Sequence, residues 1–258
     1  MKIALVQMDI ALGDVAANQA KIRELIGEGC RRGARLAVLP ELWSTGYQLP
    51  EIRNLAEPEE GPSLGLLKGL AREHRVEIVA GSMAETDGAQ VYNTAYVIGP
   101  DGAVRAKYRK IHLIGLMDED RYLRPGHRKC LFDSAAGPAG IIICYDLRFT
   151  ELPRAMALAG CRVLFVPAEW PSVRGRHWLT LNIARAIENQ LFVIAVNRVG
   201  RDRSNEFYGH SLVVDPWGEV VAEGSDREEV LVVDVDFAAG EEMRRRMPVF
   251  ADRRPECY

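Results

Sequence analysis

Ala139-Gly140-Ile141-Ile142-Ile143-Cys144, followed at once by Tyr145-Asp146-Leu147-Arg148-Phe149, decides how this chain reads. An unbroken apolar run of that length reads as a short strand buried on both faces. A thiol at the last position of such a strand, with a helical pattern after it, sits where open α/β sheets place their ligand crevices. A free cysteine is more often a small buried hydrophobe than a nucleophile. Cys144 alone among the five cysteines has the strand-end context, and other apolar strands of the chain also end in reactive groups.

Leu36-Ala37-Val38-Leu39 runs into Pro40-Glu41, Val163-Leu164-Phe165-Val166-Pro167-Ala168 into Glu169-Trp170-Pro171, and 192–196 into Asn197-Arg198. Four buried strands thus carry Cys144, Glu41, Glu169 with Trp170, and Asn197 to their carboxyl ends. The commonest fate of a glutamate is an exposed loop. Glu41 instead follows a proline between apolar Leu39, Leu42 and Trp43. A raised pKa is expected there, as a general base and acid near neutrality requires. Lys110, within Lys107-Tyr108-Arg109-Lys110-Ile111-His112-Leu113, has two readings: one cation of a solvated face, or a lysine turned inward to hold an anion. Asp118-Glu119-Asp120 is equally open between a solvated turn and a carboxylate that orients the lysine.

Strands and helices alternate over the first two thirds. Strands are predicted at 3–8, 35–39, 76–81, 91–98, 103–108, 139–144, 163–166, 192–196, on both sides of Asp215-Pro216-Trp217-Gly218, and at 230–235. Helices are predicted near 17–32 (Ile22, Leu25, Ile26 and Cys30 on one face), 64–74, 149–159 (Leu152, Ala155, Met156 and Ala159 inward), 175–189 (Leu179, Ile183 and Ile187) and in a short charged stretch near the end. Segments 40–62 and 109–127 read as long loops, and long loops are usually functional or disordered. The strands are too many for one thin sheet, so two packed mixed sheets covered by helices are expected.

With 258 residues, 48% of them hydrophobic, the chain can bury one large core, and no linker or charge block divides it. A net charge of −3 with mixed signs argues against nucleic-acid or membrane-surface binding. Scattered cysteines without a Cys-x-x-Cys pair suit a reducing compartment and no zinc site. No signal-peptide pattern or transmembrane-length run is read, so a cytoplasmic location is expected. Gly61-Pro62-Ser63-Leu64-Gly65 matches a serine-hydrolase pattern but follows an acidic loop rather than a strand, and Ser63 reads better as a helix N-cap. Gly27, Gly29 and Gly33 miss the dinucleotide spacing. His177 and His210 read as hydrogen-bonded structural residues.

Taken together, Leu39-Pro40-Glu41-Leu42-Trp43-Ser44-Thr45-Gly46-Tyr47, Tyr108-Arg109-Lys110-Ile111-His112-Leu113 and Ile143-Cys144-Tyr145-Asp146-Leu147-Arg148-Phe149 resemble the three signature blocks of the nitrilase, or carbon–nitrogen hydrolase, superfamily. The resemblance extends from Gln7 through Gly209-His210-Ser211 to the tail 252–258. It implies a four-layer α-β-β-α sandwich formed by one domain over 1–258, with a Glu41–Lys110–Cys144 triad. Glu119 matches the second glutamate found near the lysine in many members. Pro167-Ala168-Glu169-Trp170-Pro171 with His177-Trp178 is most similar to the omega-amidase branch, which hydrolyses the terminal amide of 2-oxoglutaramate.

On that reading Glu41 accepts the Cys144 proton and the thiolate attacks the amide carbonyl. Lys110 and the Tyr145 N–H hold the oxyanion. Tyr47, Glu169, Trp170 and Arg174 are expected on the substrate side, Arg174 as the cation for a distant carboxylate, and no metal or organic cofactor has a task. The partners expected are a small amide and water. The tail 248–258, with Arg253, Arg254 and Tyr258, is expected at a homodimer interface. A nitrile, an N-carbamoyl compound or another amide is the alternative substrate. A non-catalytic dimeric scaffold is the alternative from another class.

Overall fold

The computed structural model describes residues 1–257. In chain order the strands are β1 (Lys2–Gln7), β2 (Leu36–Val38), β3 (Glu77–Val79), β4 (Met83–Asp87), β5 (Gln90–Ile98), β6 (Val104–Arg109), β7 (Cys130–Ser134), β8 (Gly137–Ile141), β9 (Val163–Ala168), β10 (Phe192–Asn197), β11 (Leu212–Val214), β12 (Val220–Glu223) and β13 (Glu229–Asp234). The helices are α1 (Val15–Arg31), α2 (Ile52–Leu55), α3 (Pro62–His74), α4 (Glu119–Tyr122), α5 (Glu151–Leu158), α6 (Gly175–Asn189) and α7 (Ala239–Arg246).

The first sheet runs β13-β1-β2-β3-β5-β4, with β6 also paired to β5. The second runs β12-β11-β10-β9-β8-β7. Both are mixed: β1, β2 and β3 are parallel neighbours, as are β8, β9 and β10, and the outer pairs are antiparallel. Period-two alternation explains the layering. Leu36 and Val38 face the second sheet, packing in one cluster with Ile141, Phe165, Val193 and Val213. Ala37 and Leu39 face the other way, onto Ile22 and Ile26 of α1 and Leu67 and Leu70 of α3. Met156 of α5 and Trp178 and Ala186 of α6 cover the second sheet. The four-layer α-β-β-α sandwich expected from sequence is the fold observed.

Several local expectations need correction. The strand before Cys144 ends at Ile141, where pairing with β9 stops, and Cys144 opens a 3₁₀ turn over Cys144–Arg148. Strands β4 and β7 have no strong apolar pattern: Met-Ala-Glu-Thr-Asp and Cys-Leu-Phe-Asp-Ser mix both kinds of residue. The two long loops contain the single-turn helices α2 and α4. Helix α6 buries Trp178, Asn182, Arg185 and Asn189 rather than the apolar Leu179–Ile183–Ile187 stripe, leaving Ile187 46% exposed. On α5, Ala159 is exposed just past the helix end. Gly61, not Ser63, caps α3; the Ser63 hydroxyl donates to Glu57 instead.

Candidate active site

Both sheets deliver residues to one end of the sandwich. Glu41 follows β2, Asn93 lies in β5, Lys110 follows β6 and Glu119 opens α4. From the second sheet, Cys144 lies in the turn after β8, Glu169 follows β9 and Asn197 ends β10. Alternation along β6 resolves the basic cluster. Tyr108 and Lys110 are buried, while Lys107 and Arg109 are half-buried on the other face and pair with Glu59, Glu85 and Asp87.

Lys110 Nζ donates to Glu41 Oε1 at 2.8 Å and to Glu119 Oε1 and Oε2 at 2.9 and 2.8 Å. Glu41 Oε1 also accepts from the Tyr47 hydroxyl and from Asn93 Nδ2, each at 2.8 Å. Its Oε2 accepts from the Glu169 N–H at 2.9 Å. Asn93 Nδ2 reaches Glu119 Oε1 as well, at 3.1 Å, so one amide bridges both carboxylates. Asn93 was not singled out from sequence, although asparagine inside a strand is uncommon enough to be a signal.

Burial pushes the Glu41 carboxyl up, but the Lys110 charge and hydrogen bonds from Lys110, Tyr47 and the Glu169 N–H outweigh it and leave Glu41 below the usual carboxylate range. This corrects the expected rise, because the carboxylate is not isolated in an apolar pocket. Burial raises Glu119; Lys110 opposes that rise and the negative Glu41 adds to it. Lys110 remains firmly an ammonium: its two carboxylates overcome the burial that would neutralise it. Burial, and then the Glu41 charge, push the Cys144 thiol well above its ordinary value, against Lys110. The resting pair is therefore a neutral thiol beside a carboxylate.

Cys144 has φ 45°, a left-handed backbone unusual for a residue with a side chain. Asp146 holds that turn: its carboxylate accepts from the Ile143 N–H, the Tyr108 hydroxyl and the His112 N–H at 2.9, 2.7 and 2.9 Å. Such strain persists where surrounding contacts over-determine it. Cys144 Sγ faces the Glu169 carbonyl at 3.9 Å. The Tyr145 N–H, in the first turn of the 3₁₀ segment, has no acceptor within that helix.

Trp170 is buried, and its indole N–H donates to the Arg174 carbonyl at 2.8 Å. Arg174 thus meets Trp170 through its main chain, with its side chain half-buried at the start of α6. Arg148, passed over in the sequence reading, stacks on the Trp170 ring with its guanidinium 4.6 Å from the centroid. Burial and then the Arg174 charge pull its pKa down. The Glu169 carboxylate is fully buried and paired with Arg198 at 2.8 Å; burial pushes it up to about 8 against that arginine. Its main chain, not its carboxylate, meets Glu41 and Cys144.

His177 Nδ1 lies 3.3 Å from Arg148 Nη1, and His210 Nδ1 lies 2.8 Å from Glu223. Among the described residues no His, Cys, Asp and Glu side chains group as a metal site. No described helix is long and apolar enough to cross a membrane. A 580 Å³ groove lined by Arg105, Lys107, Arg109, His127 and Arg128 includes none of the residues around Cys144.

Residues 2–245 match the carbon-nitrogen hydrolase family. The chain is 43% identical over 256 residues to the 2-oxoglutaramate amidase of Bacillus subtilis (strain 168), covering 99% of this chain and 98% of that protein. Saccharomyces cerevisiae Nit3, a member of branch 10 of the nitrilase superfamily, superposes with a TM-score of 0.92 at 32% identity, over 98% of this chain and 96% of Nit3. An amidase variant from Nesterenkonia sp. AN1, bearing the acetamide moiety of fluoroacetamide on its active-site cysteine, superposes with a TM-score of 0.89 at 28% identity, over 100% of this chain and 95% of that one. The chain belongs to the carbon-nitrogen hydrolase family of the nitrilase superfamily.

Proposed function

We propose that this hydrolase cleaves the terminal amide of a small dicarboxylic acid monoamide such as 2-oxoglutaramate, using Cys144 as nucleophile. The reading rests on one observation above all: the Lys110 ammonium lies between Glu41 and Glu119 at the strand ends that also carry Cys144. The 43% identity to a 2-oxoglutaramate amidase supports the substrate class.

Because Glu41 is held low and the thiol high, proton transfer and attack go together rather than through a standing thiolate. Sγ bonds to the carbonyl carbon as its proton passes to Glu41, and the Lys110 ammonium and Tyr145 N–H receive the oxyanion. Glu41 returns the proton to the departing nitrogen, the C–N bond breaks, ammonia leaves and a thioester remains. Water then attacks the thioester, giving its proton to Glu41. Collapse of the second tetrahedral adduct breaks the C–S bond and Glu41 returns the proton to Sγ, releasing the acid and restoring the thiol. Glu119 holds the lysine, Tyr47 holds Glu41, and Trp170 packs against the Arg148 guanidinium. Arg174, with Arg148, supplies positive charge for the distant carboxylate.

Ammonia release should be measured on 2-oxoglutaramate, glutamine, an N-carbamoyl amino acid and an aliphatic nitrile. The omega-amide is expected to give the highest kcat/KM; a faster nitrile or carbamoyl substrate would replace this reading. Arg148→Ala and Arg174→Ala should raise KM for carboxylated amides more than for neutral ones, and an equal response would remove the carboxylate role.

The chain is read as one domain over 1–258 that works as a C₂ homodimer. Leu158 of α5 and Ile187 of α6 leave apolar surface exposed on the second sheet's helical layer, as does Trp217 on the β11–β12 turn. The tail residues Arg253 and Arg254 lie among the described residues and Tyr258 outside them. Light scattering should give a dimer at micromolar concentration, weakened together with activity by removing residues 248–258. A fully active monomer would contradict it.

A further inference from the structure

Glu169 and Arg198 form a hydrogen-bonded pair with both side chains fully buried. Burying a carboxyl group with a guanidinium is costly, and stability alone rarely favours it over an apolar pair. The rest of the guanidinium is also engaged: Nη2 donates to the Ile10 carbonyl at 2.9 Å, Nε donates to the Val199 carbonyl at 3.1 Å, and the plane lies 4.1 Å from the Phe207 centroid. Asp9 Oδ1 lies 3.5 Å from Nη2. Ile10 follows β1 of the first sheet, whereas Glu169 and Arg198 follow β9 and β10 of the second. The pair therefore ties the two sheets at the end where one delivers Glu41 and the other Cys144. Glu169 completes the tie through its main chain, its N–H on Glu41 Oε2 at 2.9 Å and its carbonyl opposite Cys144 Sγ at 3.9 Å. Beside it, Asn197 grips the Trp170 main chain at N–H and carbonyl, at 2.7 and 3.2 Å.

We infer that the Glu169–Arg198 pair is a positioning device that sets the Glu41 carboxylate against the Cys144 thiol across the sheet interface without itself contacting substrate. The inference rests on the assignment of Glu41 as base and Cys144 as nucleophile.

The test uses Glu169→Gln, Arg198→Met, Arg198→Lys and the Glu169→Gln/Arg198→Met double variant, each checked for a native melting transition. Two quantities are read: kcat and KM on the best amide of the panel, and the rate of Cys144 alkylation by iodoacetamide. In the alkylation an S–C bond forms, iodide leaves and the thiol proton passes to Glu41, so it reports the base–nucleophile geometry independently of substrate identity.

Glu169→Gln and Arg198→Met should lower kcat and alkylation in parallel by about 10–100-fold, the scale of a small misplacement. KM should stay within about twofold, because no substrate contact is lost. The double variant should be no worse than the poorer single, since the two act as a unit. Arg198→Lys should recover part of the Arg198→Met loss. A folded Glu169→Gln protein with wild-type kcat and alkylation overturns the inference, and so does a raised KM at unchanged kcat. If Arg198→Met fails to fold, Glu169→Gln and Arg198→Lys decide alone. Should Cys144→Ala remain active, the assignment of the site fails instead, a distinguishable result.

Discussion

Two ionic clusters flank β6, built from the same residue types and drawn partly from consecutive positions. On one side Lys107 and Arg109 both serve Glu85, with Glu59 and Asp87 at the rim. On the other a single ammonium, Lys110, is shared by Glu41 and Glu119, all fully buried. In the first, burial pushes Glu85 up, but hydrogen bonds from Arg109, Lys107 and Thr94 prevail and hold it low. In the second, burial pushes both carboxylates up with one cation between them; Lys110 and its hydrogen-bonding neighbours prevail at Glu41, which is lowered, while burial and the Glu41 charge prevail at Glu119, which is raised. Two cations on one buried carboxylate, against one cation shared by two, together with access to water, distinguish the two clusters.

The largest expected difference between the clusters is in catalysis. Lys110→Ala should lower kcat by about 10²–10³-fold, the usual scale for an oxyanion donor. Lys107→Ala and Arg109→Ala should leave kcat near wild type and cost about 1 kcal/mol of stability or less, discounted for their partial exposure. Equal small losses at all three positions, read by steady-state kinetics and denaturant unfolding, would erase the distinction.

A smaller difference lies in the pH dependence of stability, with opposite signs. Glu85 has a folded pKa below its unfolded value of about 4.3, so its contribution is present above that value and lost as pH falls. Glu119 has a folded pKa above about 4.3, so its contribution is present below that value and lost as pH rises. Glu85→Gln should therefore flatten the acid limb of the stability curve. Glu119→Gln should lessen the decline toward neutral pH. Thermal midpoints between pH 3 and 8 that move alike in both variants would contradict this.

How far the sequence revealed these features depended on whether an apolar pattern stood beside them. Glu41 and Glu169 were legible because Leu36–Val38 and the β9 strand announce buried strands whose ends must carry the next residue inward. Lys110 had no such neighbour: alternation with Tyr108 turns it inward, but three cations in four positions mask a period of two. Resemblance, not pattern, singled it out. The turn at Cys144 was read as strand because Ile142 and Ile143 are apolar, although pairing stops before them and Asp146 recaptures the backbone. On α6 the apolar stripe was legible but its burial was not, because Asn182, Arg185 and Asn189 turn inward instead, each donating to a main-chain carbonyl. Asn93 and Arg148 owe their places to tertiary contacts that no local pattern encodes.

The central claim is that the reaction passes through a thioester on Cys144. Intact-protein mass after rapid quenching with 2-oxoglutaramate tests it most directly. The wild-type protein should carry one acyl adduct, mapped to Cys144 by peptide analysis. Cys144→Ala should carry none and release no ammonia, while single substitutions of Cys30, Cys130, Cys161 and Cys257 leave the adduct in place. Ammonia release by Cys144→Ala at a rate near wild type, or an adduct mapped to another residue, would contradict the account.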